Sequence, residues 1–173
     1  MTIEAGQALP ELAIDVTTTF VVASAIATRD FQDVHHDRDR AIARGSQDIF
    51  LNILTTTGLV QRYVTDWAGP EAIVRKIAIR LGVPCYAGDT LTFSGTVTGK
   101  AGPQPGAGAG PPGSGGDYVV QVVGRCRLGD HVTGTVRLAA AAAGSGAGAA
   151  GSGAGAAQRP DGAPDVDPAG GAA

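Results

Sequence analysis

Ile49, Ile53, Val60, Val64 and Trp67 recur at steps of three, four or seven residues, with Phe50, Leu54 and Thr57 beside them. Apolar side chains at that spacing share one face of an α-helix. Asp48 precedes the run and Gly69-Pro70 follows it, so the pattern predicts one long amphipathic helix between them. Such a helix must bury its broad apolar face, and the residues that follow supply the surface. Ile73–Leu81, Thr90–Thr98 (TLTFSGTVT), Tyr118–Leu128 (YVVQVVGRCRL) and His131–Leu138 (HVTGTVRL) are rich in β-branched residues and read as four consecutive strands. A turn region, Gly82–Gly88 with Pro84, separates the first two, and Gly129-Asp130 signals a hairpin between the last two. Upstream, Thr17–Ala27 (TTTFVVASAIA) also reads as a strand. Strand, long helix and four strands imply an α+β fold in which an antiparallel sheet wraps a central helix.

Two stretches stand outside this pattern. Residues 101–116 and 139–173 are dominated by Gly, Ala, Pro and Ser and carry no aromatic side chain. They lack the apolar mass to offset the entropy of ordering the backbone. The first falls between two strands expected to pair and reads as an elongated, mobile hairpin loop; the second reads as a disordered tail. Removing both leaves about 120 residues, enough for one domain with one core, here residues 1–138. Gly146-Ala147-Gly148-Ala149-Ala150-Gly151 matches GxGxxG in form, but no amphipathic helix follows it, so it is not a dinucleotide site. The tail's glycines also lack the strict period of collagen.

The chain has 173 residues and a formal net charge of −3, with no basic stripe, which argues against nucleic acid as a partner. MTIEAGQALPEL lacks the basic and apolar regions of a signal peptide, and no apolar run approaches a membrane span. Cys85 and Cys126 are far apart in sequence and show no CxxC spacing. They read as reduced thiols of a cytoplasmic protein, not as a disulfide framework or a metal site.

The chemistry concentrates in Arg29-Asp30-Phe31-Gln32-Asp33-Val34-His35-His36-Asp37. Asp30 and His35 are five residues apart, and a loop of that length can fold back so that both side chains meet at one point. A carboxylate and an imidazole that converge can hold, deprotonate and reprotonate a water. Two plainer alternatives stand beside this: a solvated charged loop, and a metal site using His35, His36 and nearby aspartates. Adjacent histidines tend to point apart, and no third histidine is close in sequence. Arg29, Asp37 and Asp39 read as loop-ordering or solvated charges, Trp67 as core at the helix end, and His131, beside a tight turn, as a surface residue.

Asp30-x-x-x-x-His35, followed by Asp37 and Ala41, resembles the D-x-N-P-x-H motif of the MaoC-like, (R)-specific enoyl-CoA hydratases. Downstream, Arg80-Leu81-Gly82-Val83-Pro84-Cys85-Tyr86-Ala87-Gly88-Asp89-Thr90-Leu91 resembles that family's R-F-x-x-P-v-x-x-G-D-t-l segment. RDFQDVHHD, DIFLNILTTTGLVQRYVTDWAGP and LGDHVT resemble more closely the small subunits of actinobacterial steroid side-chain hydratases, over nearly all of residues 8–100 and 117–138. Gln32 and Asp33 replace the broad family's Asn and Pro. Asn52 stands where the family has a small Gly that begins the central helix and offers its N–H to the thioester oxygen.

The resemblance implies a single hot-dog fold, Asp30 and His35 as the acid/base pair, and the Asn52 backbone N–H as the oxyanion donor. It implies a 2-enoyl thioester of coenzyme A as substrate, with a steroid side chain as its acyl group, no separate cofactor and no metal. Its small subunits pair with a larger MaoC-like chain, because the pocket forms between two hot dogs, and a downstream aldolase is a further implied partner. Residues that contact coenzyme A are not assigned. Two other functions compete. A hot-dog thioesterase would use a carboxylate on or near the central helix, for which Asp48 is the candidate. A non-catalytic subunit would only shape its partner's pocket, a role that leaves Asp30 and His35 unexplained.

Overall fold

The structure is a computed structural model and describes residues 3–102 and 114–141. Five strands form one antiparallel sheet in the order β1-β3-β4-β5-β2. They are β1 (Ala8–Val16), β2 (Ile73–Leu81), β3 (Asp89–Ala101), β4 (Ser114–Cys126) and β5 (Gly129–Ala141). Three α-helices accompany them: α1 (Thr18–Ala27), α2 (Arg38–Ala43) and α3 (Ile53–Ala68), with a single 3-10 turn at Asp33–His35. The sheet wraps α3, which buries Leu59, Val60, Tyr63 and Val64 against it. Tyr63 stacks on Phe93 of β3 with ring centroids 5.6 Å apart.

The long helix is shorter at its start than its periodicity predicts. Ile49–Leu51 is extended instead: Ala87 N–H donates to Ile49 O, Leu51 N–H donates to Cys85 O, and Phe50 pairs with Tyr86. Ile49 and Leu51 are buried by this pairing, and Asn52 caps the helix that follows by accepting from Thr55 N–H at 2.8 Å. At the other end Gly69 takes φ 89°, where an L side chain would be strained, and α3 stops there.

Thr17–Ala27 is a correction: the segment read as a strand is helix α1. Thr17 accepts from Phe20 N–H at 3.0 Å as its N-cap, and Val21 and Ala25 bury themselves one turn apart. Ser24 and Thr28 turn their hydroxyls back onto carbonyls of the preceding turn, which overrides their β propensity. The first strand lies earlier, at β1, where Pro10 sits beside an irregular step in the pairing with β3. An edge position tolerates its missing N–H.

β3 and β4 pair as expected, and both run into the Gly-rich stretch, from Ala101 on one side and Ser114 on the other. The loop read between them otherwise lies outside the described residues. β5 continues past Leu138 to Ala141, with Ala139 opposite both Ile73 and Asp117. The rest of the tail, its GxGxxG match included, also lies outside the described residues. The β4–β5 turn falls at Arg127-Leu128, and Gly129, at φ 127°, already begins β5.

Candidate active site

Arg29 is the one described non-glycine residue with positive φ, at 56°. That bend turns the chain out of α1 and presents Asp30, whose own N–H donates to Ala25 O at 2.9 Å. The 3-10 turn Asp33–His35 then brings His35 back toward it. His35 Nε2 lies 3.4 Å from Asp30 Oδ2. The imidazole is 7% exposed and the carboxylate 19%, so the pair is open on the aspartate's side.

The rest of the loop holds this geometry. Asp33 Oδ2 accepts from Arg44 Nη2 at 2.8 Å, and Asp37 caps α2 by accepting from Arg40 N–H. These charges order the loop, as the sequence suggests for Asp37. His36 is exposed while His35 is buried.

The His35 tautomer follows from its second nitrogen. Nδ1 lies 2.8 Å from Phe50 O, and a carbonyl can only accept, so Nδ1 carries a hydrogen. Nε2 is therefore the nitrogen that faces the space shared with the Asp30 carboxylate. Phe50 also packs its ring edge-on against the imidazole, with centroids 5.0 Å apart.

Asn52 joins the same cluster from the other side. It is 3% exposed, and its Nδ2 donates to Thr28 Oγ1 at 2.8 Å while its Oδ1 caps α3. The side chain is thus folded into the helix cap rather than standing over the backbone N–H. Among the described residues nothing accepts the Asn52 N–H. The free first-turn amides of α3 add the positive end of the helix dipole at this point. Ile26, Phe31, Ile53 and Leu54, close in sequence to Thr28, Asp30 and Asn52, are all exposed. Three hollows elsewhere on the chain are lined mainly from β1, β3, β4 and the end of α3.

Two further residues named from the sequence have defined surroundings. Asp48 lies before α3, as read, and its Oδ1 accepts from Arg38 Nε and from Ile49 N–H, each at 2.7 Å. Burial works to raise its pKa, but these two bonds hold the carboxyl below its ordinary value. A carboxylate committed to a guanidinium is a poor base for a thioesterase. His131 is a correction: it is 2% exposed, not on the surface. Its Nδ1 meets Val83 O at 2.8 Å and its Nε2 meets Thr56 Oγ1 at 2.9 Å. Thr56 Oγ1 in turn lies 3.0 Å from Asn52 O, so His131 braces the first turn of α3. Thr28, Phe50, Thr56 and His131 are the supporting residues that sequence reasoning missed. Only His131 carried a signal, as a polar residue beginning an apolar strand.

No known family model matches the sequence. A curated relative does: the 3-oxo-4,17-pregnadiene-20-carboxyl-CoA hydratase beta subunit of Mycobacterium tuberculosis is 59% identical over 134 residues, 78% of this chain and 94% of the relative. The chain belongs to the MaoC-like hydratases, in the family of that β subunit. Among solved structures, the ChsH1-ChsH2 complex of M. tuberculosis contains a chain 58% identical, with TM-score 0.69, covering 81% of this chain and 99% of that one. The (R)-hydratase of A. caviae involved in PHA biosynthesis is 18% identical with TM-score 0.66, covering 80% and 97%. PhaJ1 (R)-hydratase of Pseudomonas aeruginosa is 20% identical with TM-score 0.65, covering 82% and 84%. At that identity these two establish the MaoC-like hot-dog fold alone. No helix among the described residues is long and apolar enough to cross a membrane.

Proposed function

We propose that this chain is the β-type subunit of an enoyl-CoA hydratase that adds water across the double bond of a steroid side-chain 2-enoyl-CoA, a pregnane-17(20)-ene carboxylate thioester. The observation that carries the reading is the 3.4 Å approach of Asp30 Oδ2 to His35 Nε2, with Nδ1 anchored on Phe50 O. With His35 neutral, two acceptors converge, and each can take one hydrogen of a single water. The water's oxygen lone pair is then free for Cβ of the enoyl group. As the C–O bond forms, the water gives up one proton to this pair, and Cα gains a proton from it. Negative charge that builds on the thioester oxygen meets the Asn52 N–H and the N-terminus of α3. Coenzyme A arrives as part of the substrate, and the mechanism requires no cofactor.

The chain acts with a larger MaoC-like subunit, in a heterodimer or heterotetramer. Ile26, Phe31, Ile53 and Leu54, close in sequence to the site residues, are exposed apolar side chains that a second hot dog seated there would cover as it closed the acyl pocket. A cytoplasmic location and a following carbon–carbon cleavage by an aldolase fit this chemistry, because hydration leaves a β-hydroxyacyl-CoA.

Co-expression with the larger subunit tests the reading. The complex hydrates the steroid enoyl-CoA at least about tenfold faster, as kcat/KM, than a four-carbon enoyl-CoA, the size of preference that pocket contacts of 1–3 kcal/mol provide. A small chain that is a fully active monomer overturns the assembly. Release of free thiol in place of hydration overturns the reaction.

A further inference from the structure

Cys85 and Cys126 are distant in sequence, and the fold brings them together. Cys85 lies in the segment between β2 and β3 and is fully buried; Cys126 ends β4 and is partly exposed. Their two sulfurs and one Asp89 carboxylate oxygen all lie within 4.8 Å of one another. The Cys126 thiol also donates to Pro84 O at 3.6 Å, in the same segment as Cys85. Neither thiol has a part in the hydration chemistry.

Two chemistries use paired thiols at this separation: capture of a soft metal and closure to a disulfide. Metal capture requires both thiols as anions. The site opposes that, since burial first, then the neighbouring Cys126 sulfur and Asp89, push the Cys85 thiol far up. Asp89 is also committed: Oδ1 accepts from Arg127 Nε at 3.0 Å and Oδ2 from Tyr86 N–H at 3.1 Å. A disulfide is neutral, tolerates burial and makes no demand on Asp89. Closing the gap to the S–S bond length of about 2.05 Å calls for rotation of the two side chains, and Cys126 is next to the turn at Arg127-Leu128.

We propose that Cys85 and Cys126 form a dithiol which a peroxide closes to an intramolecular disulfide. Cys126 is the entry point because it is the less buried of the two. Its sulfur attacks a peroxide oxygen, the O–O bond breaks, and the thiol's hydrogen joins the departing hydroxide, so a sulfenic acid and one water result. The Cys85 thiol then attacks the sulfenic sulfur and forms the S–S bond, and its hydrogen leaves with the sulfenic hydroxyl as a second water. Two thiols and one hydrogen peroxide thus yield one disulfide and two waters. The bridge staples the Val83–Tyr86 segment to the end of β4. That segment seats Leu51 and Phe50, so the cross-link stiffens the support behind His35.

Peroxide treatment of the full chain in its complex, then alkylation under denaturing conditions and peptide mapping by mass, tests this. The expected product is a Cys85–Cys126 peptide pair, lighter by two hydrogens, that dithiothreitol reopens. In Cys126→Ser the pair is absent and Cys85 alkylates in full. The idea is overturned if both cysteines of the native chain alkylate in full after peroxide. It is equally overturned if Cys126 stops at sulfinic acid without a bridge, or if zinc binds one-to-one and protects both thiols from alkylation.

Discussion

Asn52 Nδ2 donates to Thr28 Oγ1 at 2.8 Å, and this one bond ties the start of α3 to the end of α1, two residues before Asp30. His35 reaches the same place from the other side, through the carbonyl of Phe50, two residues before Asn52. The Asp30–His35 pair and the helix cap are therefore one connected unit. Thr28→Val keeps the shape and removes the acceptor, leaving a buried amide donor unpaired. That destabilises the fold by about 1–3 kcal/mol and lowers kcat with it. Thermal melting of the assembled complex reads the first effect, and Thr28→Ser restores both. A Thr28→Val protein that melts and turns over like the parent contradicts the coupling.

His131 gives the fold a pH dependence of predictable sign. Burial lowers its pKa below the ordinary 6.5, against a smaller opposing push from the Val83 carbonyl. The folded chain thus prefers the neutral ring, with Nδ1–H on Val83 O and Nε2 beside the Thr56 hydroxyl. The unfolded chain binds the proton first as pH falls. His131 therefore contributes its full stability above about pH 6.5, the unperturbed histidine value, and loses it as pH drops toward its lowered folded value. Melting temperatures between neutral and mildly acidic pH should fall less steeply in His131→Gln than in the parent. An equal slope in both assigns the pH dependence to other groups.

Tyr63 makes the opposite kind of prediction. Its hydroxyl is buried with no hydrogen-bond partner among the described residues, and burial, with Glu11 nearby, pushes its pKa up to about 12. Tyr63→Phe removes an unsatisfied polar atom and keeps the ring that stacks on Phe93. The substitution should be neutral or stabilising by up to about 1 kcal/mol. A clear loss of melting temperature would reveal a partner for the hydroxyl in the complex.

The central helix and the four strands after it were legible because each is periodic over many residues. The residues at fault were those whose local pattern and tertiary role disagree. Thr17–Ala27 carries strand-forming residues, yet a threonine cap and a Val21/Ala25 contact one turn apart make it a helix. β1 went unread because Pro10, Glu11 and Asp15 break up its apolar residues. Ile49 belongs to the helical period but is extended, since pairing with Ala87 places it in the core. Asp30 and His35 were readable from their motif, and their approach follows from one loop. Thr28, Thr56 and His131 were not, because nothing in the sequence says which distant carbonyl or hydroxyl a polar side chain will meet.

The central claim is that Asp30 and His35 act on one shared water. The most direct test is a set of three variants, Asp30→Ala, His35→Ala and the double substitution, each in the assembled complex with the steroid enoyl-CoA. Each single change should lower kcat for hydration by roughly 10²-fold or more. The double change should lose little beyond the worse single one, as for groups that act as a unit. Single variants that hydrate at the parent rate would contradict the account and move the chemistry to the larger subunit.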